Sequence, residues 1–276
     1  MNGGHSPTFF IIMIKIFPIL TALCLCAPIA HAEQFVSLTL CSDRLLIELA
    51  RPEQIAAMSP YSTDPLMMLD KLNHDKPTLQ PHLTALLPYL DKTVLLNQQF
   101  YPQLAAALKQ LGVKIIPVND SPQTPEQLFA FILQLGDITH NQAHAEQLVA
   151  ALQAQNFKLN QALTETLILS DTGVVESDLP QYQTLLKLLG LTPLQSHLSA
   201  QNFSLEQVVR SQPNFLIALS DKQGYNTQAE LLSHPLLQQL FQSRAQASAP
   251  LKYTYCFDHG VWQGAALLYQ QLLYQQ

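Results

Sequence analysis

The chain has 276 residues, only 12% of them charged, and a formal net charge of −6. No basic stripe runs along any segment, which excludes a nucleic-acid partner, since recognition of a polyanion takes clustered Lys and Arg. The length suits one large domain or two lobes, and beyond residue 32 no run is apolar enough for a membrane-spanning helix.

Residues 1–32 read as a signal peptide. Lys15 supplies the positive charge, an apolar core of about a dozen residues follows, and Ala30-His31-Ala32 has the small-x-small form of a cleavage site. Lys15 and Pro18 break the apolar run below the roughly 20 uninterrupted residues that an anchor helix needs. Cleavage after Ala32 is expected, with translation starting at Met1 or Met13. It leaves two cysteines, Cys41 and Cys256, in a compartment where disulfides persist.

The next stretch, 33–140, alternates strand and helix. A strand at 35–40 (FVSLTL) leads into Cys41-Ser42-Asp43 and a short helix with Ser42 as its expected N-cap. A second strand near 55–59 precedes the loop PYSTDP at 60–65. Helix and turn over 66–90 lead to the buried strand TVLLN (93–97), which ends in Gln98-Gln99-Phe100-Tyr101. A helix over 102–111 stops at Gly112, where a left-handed C-cap costs glycine least. The strand VKIIPV follows, and Thr124 with Gln127 opens another helix that ends near Gly136.

The run 141–163 contains neither Gly nor Pro, and its apolar residues recur at helical spacing. Thr139 and Asn141 offer N-caps, Thr139 pairing with Gln142 at capping-box spacing. A helix of some 22 residues would be roughly 33 Å long, enough to join two lobes. We read it as a rigid connector, because 164–276 repeats the earlier plan: strands at 166–170, 214–219 and 251–256, helices between them, and a closing helix after the loop FDHG. The expected fold is therefore α/β, two doubly wound and mainly parallel sheets joined by a single long helix.

Ligands of open α/β sheets bind beyond the C-terminal ends of the strands. That rule selects Cys41, Ser42, Tyr61, Ser62, Asn97, Gln98, Tyr225, Cys256, Asp258, His259 and Trp262 as ligand-binding candidates. An aromatic at such a place either plugs a lobe or walls a ligand. Basic residues are scarce in these loops, so a weakly charged, partly apolar ligand fits better than an anion needing Arg. The cysteines have three readings: a disulfide between Cys41 and Cys256, unpaired thiols facing the ligand, or chemistry. Cys41, Cys256, Asp258 and His259 would make a bare-metal receptor, and Cys256 with His259 a Cys-dependent hydrolase. No phosphate loop, dinucleotide fingerprint or zinc-protease motif is present.

The leader, the two lobes, the single connector, the opening FVSLTLCSDRLLIELA and the loop PYSTDP together resemble the periplasmic substrate-binding proteins of ABC importers for vitamin B12 and iron-siderophore complexes. The resemblance implies a periplasmic monomer without catalytic activity or resident cofactor. Such a protein captures a metal chelate (cobalamin, haem or an iron-siderophore) between its lobes and delivers it to an inner-membrane permease. Tyr61 and Ser62 match a Tyr-Ser pair lining the ligand cleft of B12-binding members, and Asp258 a ligand-contacting Asp before the last helix. Glu206 matches the second-lobe glutamate that docks on permease arginines. Its first-lobe counterpart falls near Thr84, which is not acidic, and the corrin-covering tryptophans are absent at Leu79 and Asn97.

Overall fold

The computed structural model describes residues 1, 3–4, 33–119, 121–159, 165–170, 177–194, 204–220, 234–242 and 244–274. The chain falls into two units, Met1–His31 and Ala32–Gln276. All that follows concerns the second.

That unit contains two sheets. The first carries β1 (Phe35–Ser37), β2 (Ile55–Ala57), β3 (Thr93–Leu96) and β4 (Ile115–Pro117) in the order β2-β1-β3-β4. The second carries β5 (Thr166–Ser170), β6 (Phe215–Leu219) and β7 (Ala245–Ala249) in the order β5-β6-β7. Every pairing among them is parallel, as the alternation with helices requires. Successive side chains of each strand serve different cores. In the first sheet Phe35 and Leu95 face one core, while Val36, Val94 and Leu96 face another. In the second, Ile168 and Ile217 join the first of these cores, while Leu167, Leu169 and Leu216 face a third. One apolar core therefore runs under both sheets.

Helices α1 (Leu40–Leu49), α2 (Leu83–Leu86), α3 (Pro102–Gln110), α4 (Pro125–Ile138), α5 (Gln142–Ala154), α6 (Pro180–Leu189), α7 (Leu205–Ser211), α8 (Pro235–Phe241) and α9 (Gly260–Leu273) complete the layers. Among these, α1, α4, α5, α6 and α9 contribute to the shared core.

Four expectations need correction. The N-cap of α1 is Thr39, whose Oγ1 accepts the Ser42 amide, so the helix begins three residues early and Ser42 lies inside it. The third strand of the second sheet is Ala245–Ala249, and 251–254 is a 3-10 turn. AQASA hides its strand character because its inward residues, Ala247 and Ala249, are small where α9 packs closely. Pro250 then ends the strand before the aromatic stretch that carries the stronger strand propensity.

The connector is also shorter than its periodicity suggested. α5 ends at Ala154, and Gln155 turns to extended backbone. The Phe157 and Leu159 amides then donate to the Leu188 and Leu189 carbonyls, 3.2 and 3.3 Å away, at the end of α6. Those two apolar residues thus serve the core as a strap across α6. Nor does Thr139 cap α5: its hydroxyl donates to Leu135 O at 2.8 Å, and Asn141 Nδ2 donates to Leu49 O at 2.9 Å. His140, at φ 54°, turns the chain so that α5 folds back along α4.

Gly136 lies where these two helices touch, and a Cβ there would stand 2.3 Å from Ala145 Cβ. Gly136→Ala should lower stability by about 1–3 kcal/mol through overpacking. Chemical denaturation measures this, and an unchanged midpoint would show that the pair parts freely.

Candidate functional site

The C-terminal ends of β1, β2 and β3 lie along one edge of the first sheet, and the loops after β2 and β3 each carry an exposed aromatic. After β2, the Ser59 hydroxyl accepts the Tyr61 amide and starts a 3-10 turn, Pro60–Thr63. That turn leaves Tyr61 52% exposed. After β3, Asn97 Oδ1 accepts the Gln99 and Phe100 amides at 2.9 and 3.1 Å and reverses the chain, leaving Phe100 60% exposed. Tyr255, 39% exposed, follows the 3-10 turn Leu251–Thr254 and adjoins Cys256.

The residue after Tyr255 belongs to a disulfide. Cys41, in the first turn of α1, is bonded to Cys256, with the Cα atoms 5.6 Å apart. Neither sulfur is then a thiolate, which is the form that ligates metals or attacks carbonyls.

Beneath the disulfide, the segment 252–263 is fastened to α1 and to the loop before Asp70. Arg44, fully buried, donates through Nη1 to Asp258 Oδ2 at 3.2 Å, through Nη2 to Lys252 O at 2.8 Å, and through Nε to Met67 O at 3.1 Å. Asp258 Oδ1 accepts the Gly260 amide at 2.8 Å and so shapes the start of α9. Lys252 Nζ reaches the Pro65 and Leu69 carbonyls at 3.5 and 3.3 Å. Burial, reinforced by the Asp70 carboxylate, pushes the neighbouring Tyr253 phenol above its ordinary range.

Several candidates from the sequence are buried or already engaged in hydrogen bonds. Ser42 is buried, with its Oγ 2.7 Å from Ser37 Oγ and 2.8 Å from Thr39 Oγ1. Ser62 is buried, donating to Ser59 O and accepting from Asn73. Asn97 is spent on its turn, Gln98 accepts from Lys109 Nζ at 3.0 Å, and Asp258 is paired with Arg44. Trp262 is a core plug, its ring 5.7 Å from Phe129 and 6.4 Å from Phe257. His259 lines a cavity of about 270 Å³ with Ile47, Glu48 and Lys71, beside the last turn of α1. A second cavity, of about 410 Å³, shares those three residues and runs towards Asn73 and Lys76. Tyr225 lies outside the described residues. Glu206 is exposed on α7, with Oε1 2.6 Å from Arg210 Nη2.

Sequence reasoning missed Arg44, Asp43 and Tyr255. The Asp43-Arg44 pair inside the otherwise apolar helix LCSDRLLIEL was the available signal, because charges in a buried stretch need partners.

A family model described as "Periplasmic binding protein" matches residues 36–241. The chain belongs to that family. Its members are periplasmic or extracellular binding proteins. A periplasmic haem-binding protein of Pseudomonas aeruginosa superposes with a TM-score of 0.61 at 17% identity, over 86% of this chain and 93% of its own. The periplasmic haem-binding protein of Vibrio cholerae gives 0.63 at 18%, over 88% and 99%. The periplasmic vitamin B12-binding protein of Vibrio cholerae gives 0.54 at 16%, over 88% and 98%. No curated protein matches the sequence. The likeness fixes the two-lobed α/β architecture.

The disulfide closes a sequence separation of 215 residues. In the chain-entropy model such a link restricts the unfolded chain by about 5 kcal/mol. Replacing both cysteines by Ser should therefore lower the urea midpoint by a stability loss of up to that size. A midpoint equal to that of the unmodified protein would mean that the bond adds nothing.

Proposed function

We propose that the protein captures a metal chelate in a cleft between lobe 33–140 and lobe 164–276, which are linked through 141–163, and delivers it to the permease of an ABC importer. The supporting observation is the exposure of three aromatics: Tyr61 and Phe100 on the loops after β2 and β3, and Tyr255 next to the Cys41–Cys256 bond. Exposed rings on ordered loops form an apolar wall awaiting a partner. Flat, conjugated ligands match such walls, which favours a tetrapyrrole such as haem over a compact anion. Among the described strand-end loops, 39–42, 59–64 and 97–101 contain no Lys or Arg. The similar proteins of known structure named for haem or vitamin B12 support the same class. Tyr61 adds a phenol oxygen, a donor type that ligates haem iron.

The bare-ion and hydrolase readings lose support on the same geometry. Both relied on free sulfur at Cys256, which is bonded, and the ion reading also relied on Asp258, which is paired with Arg44. We therefore assign the protein no chemistry of its own. The leader 1–32 serves export and is removed after Ala32, leaving a periplasmic monomer.

Permease docking falls to Glu206. Its pair with Arg210 is an exposed i,i+4 contact, worth about 0.3–0.5 kcal/mol, so an incoming arginine displaces it readily. The first-lobe counterpart, Thr84 on α2, is exposed and uncharged, which puts the charged part of the contact on the second lobe.

Titration with hemin, cobalamin and a ferric catecholate, followed by visible absorbance, tests the ligand class. Hemin should bind stoichiometrically with a shifted Soret band. Tyr61→Ala and Phe100→Ala should each weaken binding by about tenfold, the usual cost of truncating an aromatic contact. Binding of none of the three would sink the proposal. For docking, Glu206→Ala should weaken association with the permease by about tenfold while hemin affinity stays constant. A loss of hemin affinity in that variant would place Glu206 in the cleft.

A further inference from the structure

We infer that Arg44 is the positioning residue of the ligand cleft: its single buried guanidinium ties the Tyr61 loop to the Tyr255 loop and so sets how the two aromatic walls face each other. The inference rests on the reading of those aromatics as the chelate's contacts.

The loop that exposes Tyr61 runs from Ser59 to Met67, and both of its ends are held by neighbouring residues of α1. At the near end the Asp43 carboxylate accepts the Ser59 amide, at 3.3 and 3.2 Å to its two oxygens, and the Ser59 hydroxyl as well. That same hydroxyl oxygen accepts the Tyr61 amide at 3.3 Å, so Asp43 fixes the turn on which Tyr61 stands. At the far end Arg44 donates to Met67 O through Nε and Nη2.

The Tyr255 loop is bracketed in the same way, with Arg44 at both ends. Nη2 takes Lys252 O, three residues before Tyr255, and Nη1 takes Asp258, three residues after it. Cys256, next to Tyr255, is bonded to Cys41, one helical turn before Arg44 on α1. Both aromatic loops are thus referenced to one turn of one helix.

The chemistry of the fork explains why the residue is arginine. Guanidinium donors are coplanar and fixed in direction, so three acceptors on two loops determine their mutual placement. A lysine ammonium is a point charge and leaves that angle free. A buried ion pair is by itself weak evidence of net stabilisation, because desolvation offsets most of the attraction. What the pair supplies here is geometry.

The test uses two variants of the full chain. Arg44→Met combined with Asp258→Asn removes both charges and strands neither. Arg44→Lys keeps the attraction to Asp258 but lacks the fork. The readouts are unfolding cooperativity, hemin affinity, and fluorine NMR of the chain labelled with 3-fluorotyrosine, with Tyr→Phe replacements assigning the signals. Both variants should unfold cooperatively and show shifted, broadened resonances for Tyr61 and Tyr255, with the buried Tyr182 signal unmoved. Hemin affinity should fall about tenfold or more. Unmoved Tyr61 and Tyr255 resonances in a folded variant would overturn the inference. So would loss of folding in both variants, which would make Arg44 a stability residue. If the unmodified chain binds no hemin, the cleft reading fails on that result, and the fluorine resonances still decide the role of Arg44.

Discussion

The buried Arg44–Asp258 pair is the constraint on which the arrangement depends. A guanidinium cannot shed its charge on burial, so it must find acceptors for its donors or the fold does not close over it. Here the acceptors are one carboxylate and two backbone carbonyls from two loops far apart in the chain. Removing one partner would leave an uncompensated charge in the interior, at a cost of about 3–5 kcal/mol. The disulfide repeats the same connection in covalent form, since Cys41 precedes Arg44 by three residues and Cys256 precedes Asp258 by two. Two cross-links of different chemistry, in register on the same pair of segments, leave that seam little freedom to open.

Helix α9 extends this coupling through the body of the protein. Its first turns press Trp262 against Phe129 of α4, and Gln263 Nε2 reaches Asp70 Oδ2 at 3.3 Å. Its last turns pack on the second sheet, where Gln271 accepts the Ser248 amide at 3.0 Å and donates to its carbonyl at 2.6 Å. A helix anchored at one end to the helices of the first sheet and at the other to the second acts as a crossing. With α5, α9 and the disulfide in parallel, and one apolar core beneath both sheets, the soft dihedrals of a hinge are scarce in the described residues.

The fold was legible because its signals are local. Parallel strands buried on both faces show as short apolar runs, and a helix start was marked by Thr124, whose hydroxyl accepts the Gln127 amide. Where sequence reasoning slipped, a tertiary demand outweighed a local preference. Ala245–Ala249 is a strand with almost no strand propensity, and the aromatic 251–256 is no strand, because close packing against α9 and Pro250 decided the matter. The periodicity of 141–163 continued past Ala154, yet Phe157 and Leu159 found their burial across α6 instead. Arg44 was invisible for a similar reason. Its partners lie 23, 208 and 214 residues away, and nothing in a single sequence joins those positions.

The site residues show a more particular limit. The rule that ligands bind beyond strand ends selects positions but says nothing about which way a side chain there points. In this protein the polar residues at those positions close the loops: Asn97 accepts two amides of its turn, Ser59 starts the turn of Tyr61, and Ser62 ties that turn to Asn73. Each bond satisfies a backbone group or side chain that would otherwise be stranded near the sheet edge. Bending the chain back in this way turns the adjacent aromatic outward, so the exposure of Tyr61 and Phe100 is produced by the buried polar residues next to them. Ser62, Asn97 and Asp258 are thus buried beneath the exposed surface. A pattern that reads as polar ligand contacts in sequence is, once folded, a polar scaffold that holds exposed aromatics in place.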